Sequence, residues 1–331
     1  MRRAVIICLL ICLLLGLGAT TLAWWLMTAA LTPEQPVSLE VKPGSSLSRV
    51  AHDLHAAGVI RHHLVLRLLA RWHDQEQQIQ AGGYSFSAPA TPAEILARLV
   101  RGDVDKVSLT IPEGHTLRQI IERIDAAGYG HADRLWHLAQ DAGFIASLGI
   151  TAKTLEGYLF PETYRFVPGT DEAALLRMMV EHLQRQLTPE LRNAARSLGL
   201  TDHEHLTLAS IIEKETGVIA EMPLISSVFH NRLAINMRLQ TDPTVIYGIE
   251  NFNGTITRSH LNTPTPYNTY LISGLPPGPI ASPGLAALTA AVFPATSDYY
   301  YFVARGDGSH VFSRTLREHN NAVQKYLRNR R

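Results

Sequence analysis

Cysteine is nearly absent. The only two, Cys8 and Cys12, lie in an apolar N-terminal run, so the rest of the chain can form neither a disulfide nor a thiolate metal site. An excess of charge is absent too. Thirty Lys and Arg face 29 Asp and Glu, which gives no bulk attraction for nucleic acid, and no nucleic-acid partner is expected. No phosphate-binding loop is present. His203-Glu204-His205 lacks the i, i+4 spacing of helical zinc ligands. The stretch from Gly278 to Gly284 contains Ser282 but is not a Gly-x-Ser-x-Gly elbow. No metal or cofactor is expected, and a metalloenzyme or serine hydrolase is poorly supported.

What is present is globular. The chain has 331 residues, 46% hydrophobic and 18% charged, which excludes a mainly disordered protein and suggests about two domains. From Ala4 to Pro33 no residue is charged. Such a run is long enough to span a bilayer, which takes about 20 apolar residues. Arg2 and Arg3 precede it and Glu34 is the first acid after it, so the positive-inside rule places the N-terminus in the cytoplasm and the rest outside. Trp24 and Trp25 fall where an interfacial belt would lie. A cleaved signal peptide is the competing reading, but the run is long for one. The expected arrangement is a single-pass anchor over residues 4–30.

An internal echo follows. Val41-Lys42-Pro43-Gly44-Ser45-Ser46-Leu47 recurs 70 residues later as Ile111-Pro112-Glu113-Gly114-His115-Thr116-Leu117, and Ala56-Ala57-Gly58 as Ala126-Ala127-Gly128. Tyr84-Ser85-Phe86 and Tyr164-Arg165-Phe166 are 80 apart, so the second copy is about ten residues longer. Each copy reads as a strand, a Gly turn, a Ser/Thr cap and an amphipathic helix closed by glycine. This opening resembles the LysM carbohydrate-binding module; a scaffold unit that binds nothing is an equal reading.

The C-terminal third carries the chemistry. His203–Thr216 reads as a helix containing Ala209-Ser210-Ile211-Ile212-Glu213-Lys214-Glu215-Thr216. Glu213 and Glu215 are about 200° apart on a helix and cannot face one site. One can sit in a partly apolar place with a raised pKa, as a general acid needs, while the other is solvated. Loops dense in Asn, Gln, Thr, Tyr, Pro and Gly follow, of the kind that line binding sites. Tyr rings and amide groups suit sugars. Tyr299–Ala304 and His310–Ser313 read as a hairpin, followed by a helix from about Leu316.

Several of these motifs, in order, closely resemble the membrane-anchored endolytic murein transglycosylases, the YceG-like family. The resemblance rests on Ala-Ser-Ile-Ile-Glu213-Lys-Glu-Thr, Asn231-Arg232-Leu233, the run from Met237 to Gly248, Tyr267-Asn268-Thr269-Tyr270, Gly274-Leu-Pro-Pro-Gly278 and His310-Val-Phe-Ser313. The stretch from Leu155 to Tyr164 also fits. The resemblance implies an α+β fold: an anchor in residues 1–32, a LysM-like unit in 37–107, a second repeat-like unit in 108–200 and a mixed α/β catalytic domain in 201–331. It implies cleavage of peptidoglycan strands internally, between N-acetylmuramic acid and N-acetylglucosamine, leaving 1,6-anhydro ends and limiting strand length. The catalytic acid maps onto Glu213. Candidate sugar contacts are Asn231, Arg232, Gln240, Thr241, Asp242, Tyr247, Tyr267, Asn268, Tyr270 and His310. The implied setting is the bacterial inner membrane, with the catalytic domain periplasmic and peptidoglycan polymerases as partners. Two rivals stand beside it: a hydrolase of the same bond with Asp242 activating water, and a non-catalytic wall-binding scaffold.

Overall fold

The computed structural model describes residues 2–250, 252 and 254–328. The fold is mixed α+β, and its strands form three two-stranded sheets among the described residues. The chain divides into two compact units, Met1–Ser108 with Arg165–Gly169, and Leu109–Tyr164 with Thr170–Arg331.

The first unit begins with helix α1 (Arg2–Thr28). The anchor expected over residues 4–30 lies partly on side chains outside the described residues. Among the described residues no helix is long and apolar enough to cross a membrane. Leu10, Leu13, Leu14, Leu17 and Leu22 on α1 are exposed. Beyond α1 come β1 (Val37–Val41), α2 (Leu47–Ala56), α3 (His63–Trp72), β2 (Gly82–Phe86) and α4 (Pro92–Arg101). β1 and β2 are antiparallel, with Val37 opposite Phe86 and Leu39 opposite Tyr84. Val50, Leu54, Leu66, Tyr84 and Leu99 fill the core. Leu31 and Ala90 exchange backbone hydrogen bonds of 3.0 and 3.2 Å, which ties the chain leaving α1 to the segment before α4.

The second copy follows the same order: β3 (Val107–Thr110), α5 (Leu117–Ala126), α6 (Ala132–Leu138) and β4 (Thr163–Phe166), with α7 (Ala142–Ser147) in the added residues. The likeness reaches the helix ends. Ser46 and Thr116 cap α2 and α5 through their side-chain oxygens. Both helices then close with glycine in the left-handed region: Gly58 N–H donates to His55 O and Val59 N–H to Leu54 O, matched by Gly128 to Asp125 and Tyr129 to Ile124. Tyr84 and Tyr164 each donate a hydroxyl to the carbonyl four residues earlier, Gln80 and Phe160.

The remaining elements are α8 (Glu172–Gln186), α9 (Pro189–Ser197), α10 (Asp202–Glu215), α11 (Met222–Ala234), α12 (Asp242–Tyr247), α13 (Arg258–Asn262), α14 (Leu285–Val292), the antiparallel hairpin β5 (Tyr301–Ala304) and β6 (His310–Ser313), and α15 (Leu316–Val323). α10 is the spine of the second unit. A capping box starts it, Thr201 and Glu204 each bonding the other's backbone N–H. From His205 to Ile212 every residue is buried. Ala209 on α10 and Ala287, Ala290 and Ala291 on α14 belong to one apolar cluster; small side chains let the two helices approach closely. His205 Nε2 donates to Leu288 O at 2.7 Å, and burial lowers the pKa of the ring.

Because Ile211 is fully buried in this cluster, Ile211→Ala is expected to lower the unfolding free energy by about 2–5 kcal/mol. Thr201→Ala, which removes only the cap, is expected to cost about 1 kcal/mol. Denaturant unfolding of the two variants checks the order.

Candidate active site

Glu213 stands on the last turn of α10, where the buried run meets solvent, and is half-buried. One oxygen, Oε2, accepts the Gly284 backbone N–H at 3.0 Å. Gly284 is the N-cap residue of α14. Burial pushes the Glu213 pKa up; the Gly284 hydrogen bond opposes this, nearby Glu113 adds to it and Lys214 opposes it. The net direction is upward, as an acid that must hold its proton near neutrality requires.

The burial is built by the turn of the second repeat copy. Gly114 N–H donates to Ser282 O at 2.9 Å and Ser282 N–H to His115 O at 2.8 Å. Lys214 Nζ donates to Gly114 O at 3.0 Å. The turn is therefore fastened to the loop before α14 and to the residue after Glu213. Gly114 packs on the Glu213 stem: a Cβ there would lie 3.6 Å from Glu213 Cγ. The Glu113 carboxylate rests where a Cβ on Gly284 would stand. Glu113 itself is exposed, so Glu113 and Glu213 bracket the Gly284 backbone from two sides. Ser282 Oγ and His115 Nδ1 are buried beside them with no hydrogen-bond partner.

Glu215 corrects the expectation that the second carboxyl is solvated. It is half-buried on the other side of α10 and accepts the Thr241 hydroxyl. Burial pushes its pKa up to about 7, with the Asp242 charge adding and Thr241 and Arg232 opposing. A cleft of about 460 Å³ opens over it, lined among others by Arg232, Gln240, Asp242, Tyr270 and His310. Five of the ten expected sugar contacts thus gather at Glu215, not at Glu213. Thr241 joins them through its bond to Glu215. Asp242 accepts the Tyr270 hydroxyl at 2.7 Å. Arg232 is buried and donates to Tyr300 O at 2.6 Å and Leu239 O at 2.5 Å. His310 pairs through Nδ1 with Glu221 at 2.7 Å.

The other four are placed elsewhere. Asn231 donates to Ser297 O and Tyr299 O. Asn268 is fully buried and donates to Leu261 O and Thr263 O. Both amides hold loops. Tyr247 and Tyr267 pack together, ring centres 4.7 Å apart, and the Tyr247 hydroxyl donates to Glu156 at 3.1 Å.

Two carboxyls escaped the sequence reading. Glu156 is 7% exposed, accepts the Leu117 N–H at the start of α5, and is pushed by burial up to about 7. Glu113 carried a signal: the corresponding position of the first copy is Pro43, so the second turn departs from its repeat by gaining an acid. Among the described residues no group of three or more His, Cys, Asp or Glu could hold a metal.

A mixed α+β protein that presents a desolvated carboxyl from a helix end, held by a backbone amide, has the equipment of an enzyme that protonates a leaving group. The chain belongs to the YceG-like family, whose profile matches residues 39–325. It is 33% identical over 308 residues to the endolytic murein transglycosylase of Bacillus subtilis strain 168, an alignment covering 88% of this chain and 85% of that one. It is 29% identical over 323 residues to the protein of the same name from Streptococcus pneumoniae D39, of which it spans 58%. The crystal structure of a YceG-like protein from Listeria monocytogenes matches with a TM-score of 0.61 and 33% identity, over 87% of this chain and 99% of that one.

Two predictions follow from these environments. The folded protein holds protons on Glu156 and Glu215 up to about pH 7, whereas the unfolded chain releases them near 4.5. Unfolding free energy should therefore fall as pH rises through that window. Glu156→Gln and Glu215→Gln, which cannot titrate, should each flatten the slope in denaturant titrations. Separately, Glu113→Gln removes a charge that raises the Glu213 pKa. Activity that needs protonated Glu213 should then fade at lower pH on the alkaline side, with the rate at acid pH retained; Glu113→Asp should restore the wild-type profile.

Proposed function

We propose that this protein is an endolytic lytic transglycosylase that cuts peptidoglycan strands between N-acetylmuramic acid and N-acetylglucosamine, with Glu213 as its acid and base. The observation that carries the reading is the Glu213 carboxyl, desolvated at the end of α10 and held by the Gly284 amide beside Gly114, in a chain whose relatives carry this name. Hydrolytic glycosidases normally need two carboxyl groups, one as acid and one as base or nucleophile. Here one suffices. Protonated Glu213 gives its proton to the glycosidic oxygen as the bond to the anomeric carbon breaks. The muramoyl C6 hydroxyl attacks that carbon and closes the 1,6-anhydro ring. Its proton passes to the Glu213 carboxylate, so the acid is restored and no water is consumed. The nucleophile is tethered to the reacting sugar, which gives a large effective concentration.

Asp242 bonds Tyr270 and sits with Glu215, so it supplies no base beside Glu213. The group a hydrolase would use is Glu113. Loss of all activity at every pH in Glu113→Gln, instead of the displaced profile, would favour that second reading.

The setting belongs to the same proposal. Residues 4–30 anchor the protein in the inner membrane, N-terminus inside and the catalytic region periplasmic. The exposed leucines of α1 support this, since nothing among the described residues covers them. The two repeat copies act as LysM-like units; their shared strand–helix–helix–strand order supports that reading. Cutting new strands as polymerases extend them would set strand length.

The test is digestion of uncrosslinked glycan strands by wild type and Glu213→Gln. Internal fragments from wild type, with activity lowered by about 10²–10⁴ in the variant, are expected. Equal cleavage by a folded variant would remove Glu213 from the mechanism. No cleavage of bound strands by either protein would point to a scaffold.

A further inference from the structure

Helix α3 carries an apolar stripe that nothing among the described residues covers. Its inner face, Val65, Leu66 and Ala70, is buried in the core of the first unit. Its outer face holds Leu64, Leu68 and Trp72, exposed by 46%, 55% and 85%. The spacing i, i+4, i+8 aligns the three on one side of the helix. Arg67 and Arg71, both exposed, run alongside. A surface helix of a water-soluble unit is usually polar outward; α3 is apolar on both faces, with arginines at the edge of the outer one.

The same unit fixes where this stripe lies. The Arg61 guanidinium, just before α3, rests 4.4 Å from the centre of the Trp25 ring. Trp25 is in the last turn of α1. The chain leaving α1 is bonded back to the unit through Leu31 and Ala90. So the turn leading into α3 touches the end of the apolar N-terminal helix through Arg61 and Trp25.

We propose that the Leu64–Leu68–Trp72 face of α3 lies in the membrane interface, with Arg61, Arg67 and Arg71 meeting anionic lipid headgroups. The occupant is the bilayer because the stripe adjoins the helix end that would emerge from it. The composition fits as well: Trp and Leu on one side and arginines at the boundary are the make-up of a helix lying in the headgroup region. This rests on the reading of residues 4–30 as an anchor. It adds a second attachment that would hold the first unit against the membrane instead of leaving it free on a tether.

The test uses the full chain with Cys8→Ser and Cys12→Ser, reconstituted in liposomes of phosphatidylethanolamine and phosphatidylglycerol. A nitroxide is placed in turn at Leu68→Cys, Leu14→Cys and Arg49→Cys, the last being a side chain 78% exposed. Collision rates with oxygen, which prefers lipid, and with a nickel chelate, which prefers water, are compared. The proposal expects the oxygen-to-chelate ratio at 68 to exceed that at 49 several-fold, with 14 higher still. A lipid signal at 14 with a water signal at 68 would overturn the α3 proposal and leave the anchor standing. A label at 68 shielded from both reagents would mean that protein covers the stripe, which overturns it too. A water signal at 14 would remove the anchor reading and this proposal with it.

Discussion

The site depends on two backbone hydrogen bonds between the Gly114–His115 turn and Ser282. Without them the end of α10 would face water, and Glu213 would be an ordinary surface acid. With them, a turn on one side and the start of α14 on the other take water from the carboxyl. The Gly284 amide holds one of its oxygens. The turn itself needs a glycine at 114, whose φ of 70° lies in the left-handed region. Lys214, next to Glu213, fastens the same turn through its carbonyl instead of neutralising the acid by contact.

α10 separates two carboxyl environments. Glu213 faces the turn and the α14 N-terminus. Glu215, two residues on, faces Thr241, Asp242 and the cleft over Tyr270 and Arg232. Helical geometry alone requires this division. The residues around Glu215 are largely bonded to one another or to backbone carbonyls, so they fix the loops after α11 as well as lining a cleft. The Glu213 side is less saturated, with Ser282 Oγ and His115 Nδ1 buried and unpaired.

The sequence made periodic and repeated features legible. The two strand–turn–helix openings, the caps at Ser46 and Thr116 and the closing glycines at 58 and 128 depend on local spacing, and the structure has them. The C-terminal hairpin was legible for the same reason: alternation and a Gly-rich turn. Glu213 was singled out by the family motifs; its helix segment alone left open which of the two carboxyls is desolvated. What stayed hidden depends on contacts across long stretches of chain. Glu113 is a hundred residues from Glu213, and Glu156 meets Leu117 and Tyr247 only after folding. Asn231 and Asn268 looked like sugar-binding amides but hold carbonyls within the protein; composition does not distinguish these roles.

The central claim is that the nucleophile belongs to the substrate and not to water. Digestion of uncrosslinked glycan strands in water labelled with heavy oxygen tests it most directly, read by mass spectrometry of the new ends. The expected result is 1,6-anhydromuramoyl ends carrying no label. Reducing muramic acid ends carrying one labelled oxygen would contradict it and turn attention to Glu113 as the base of a hydrolase.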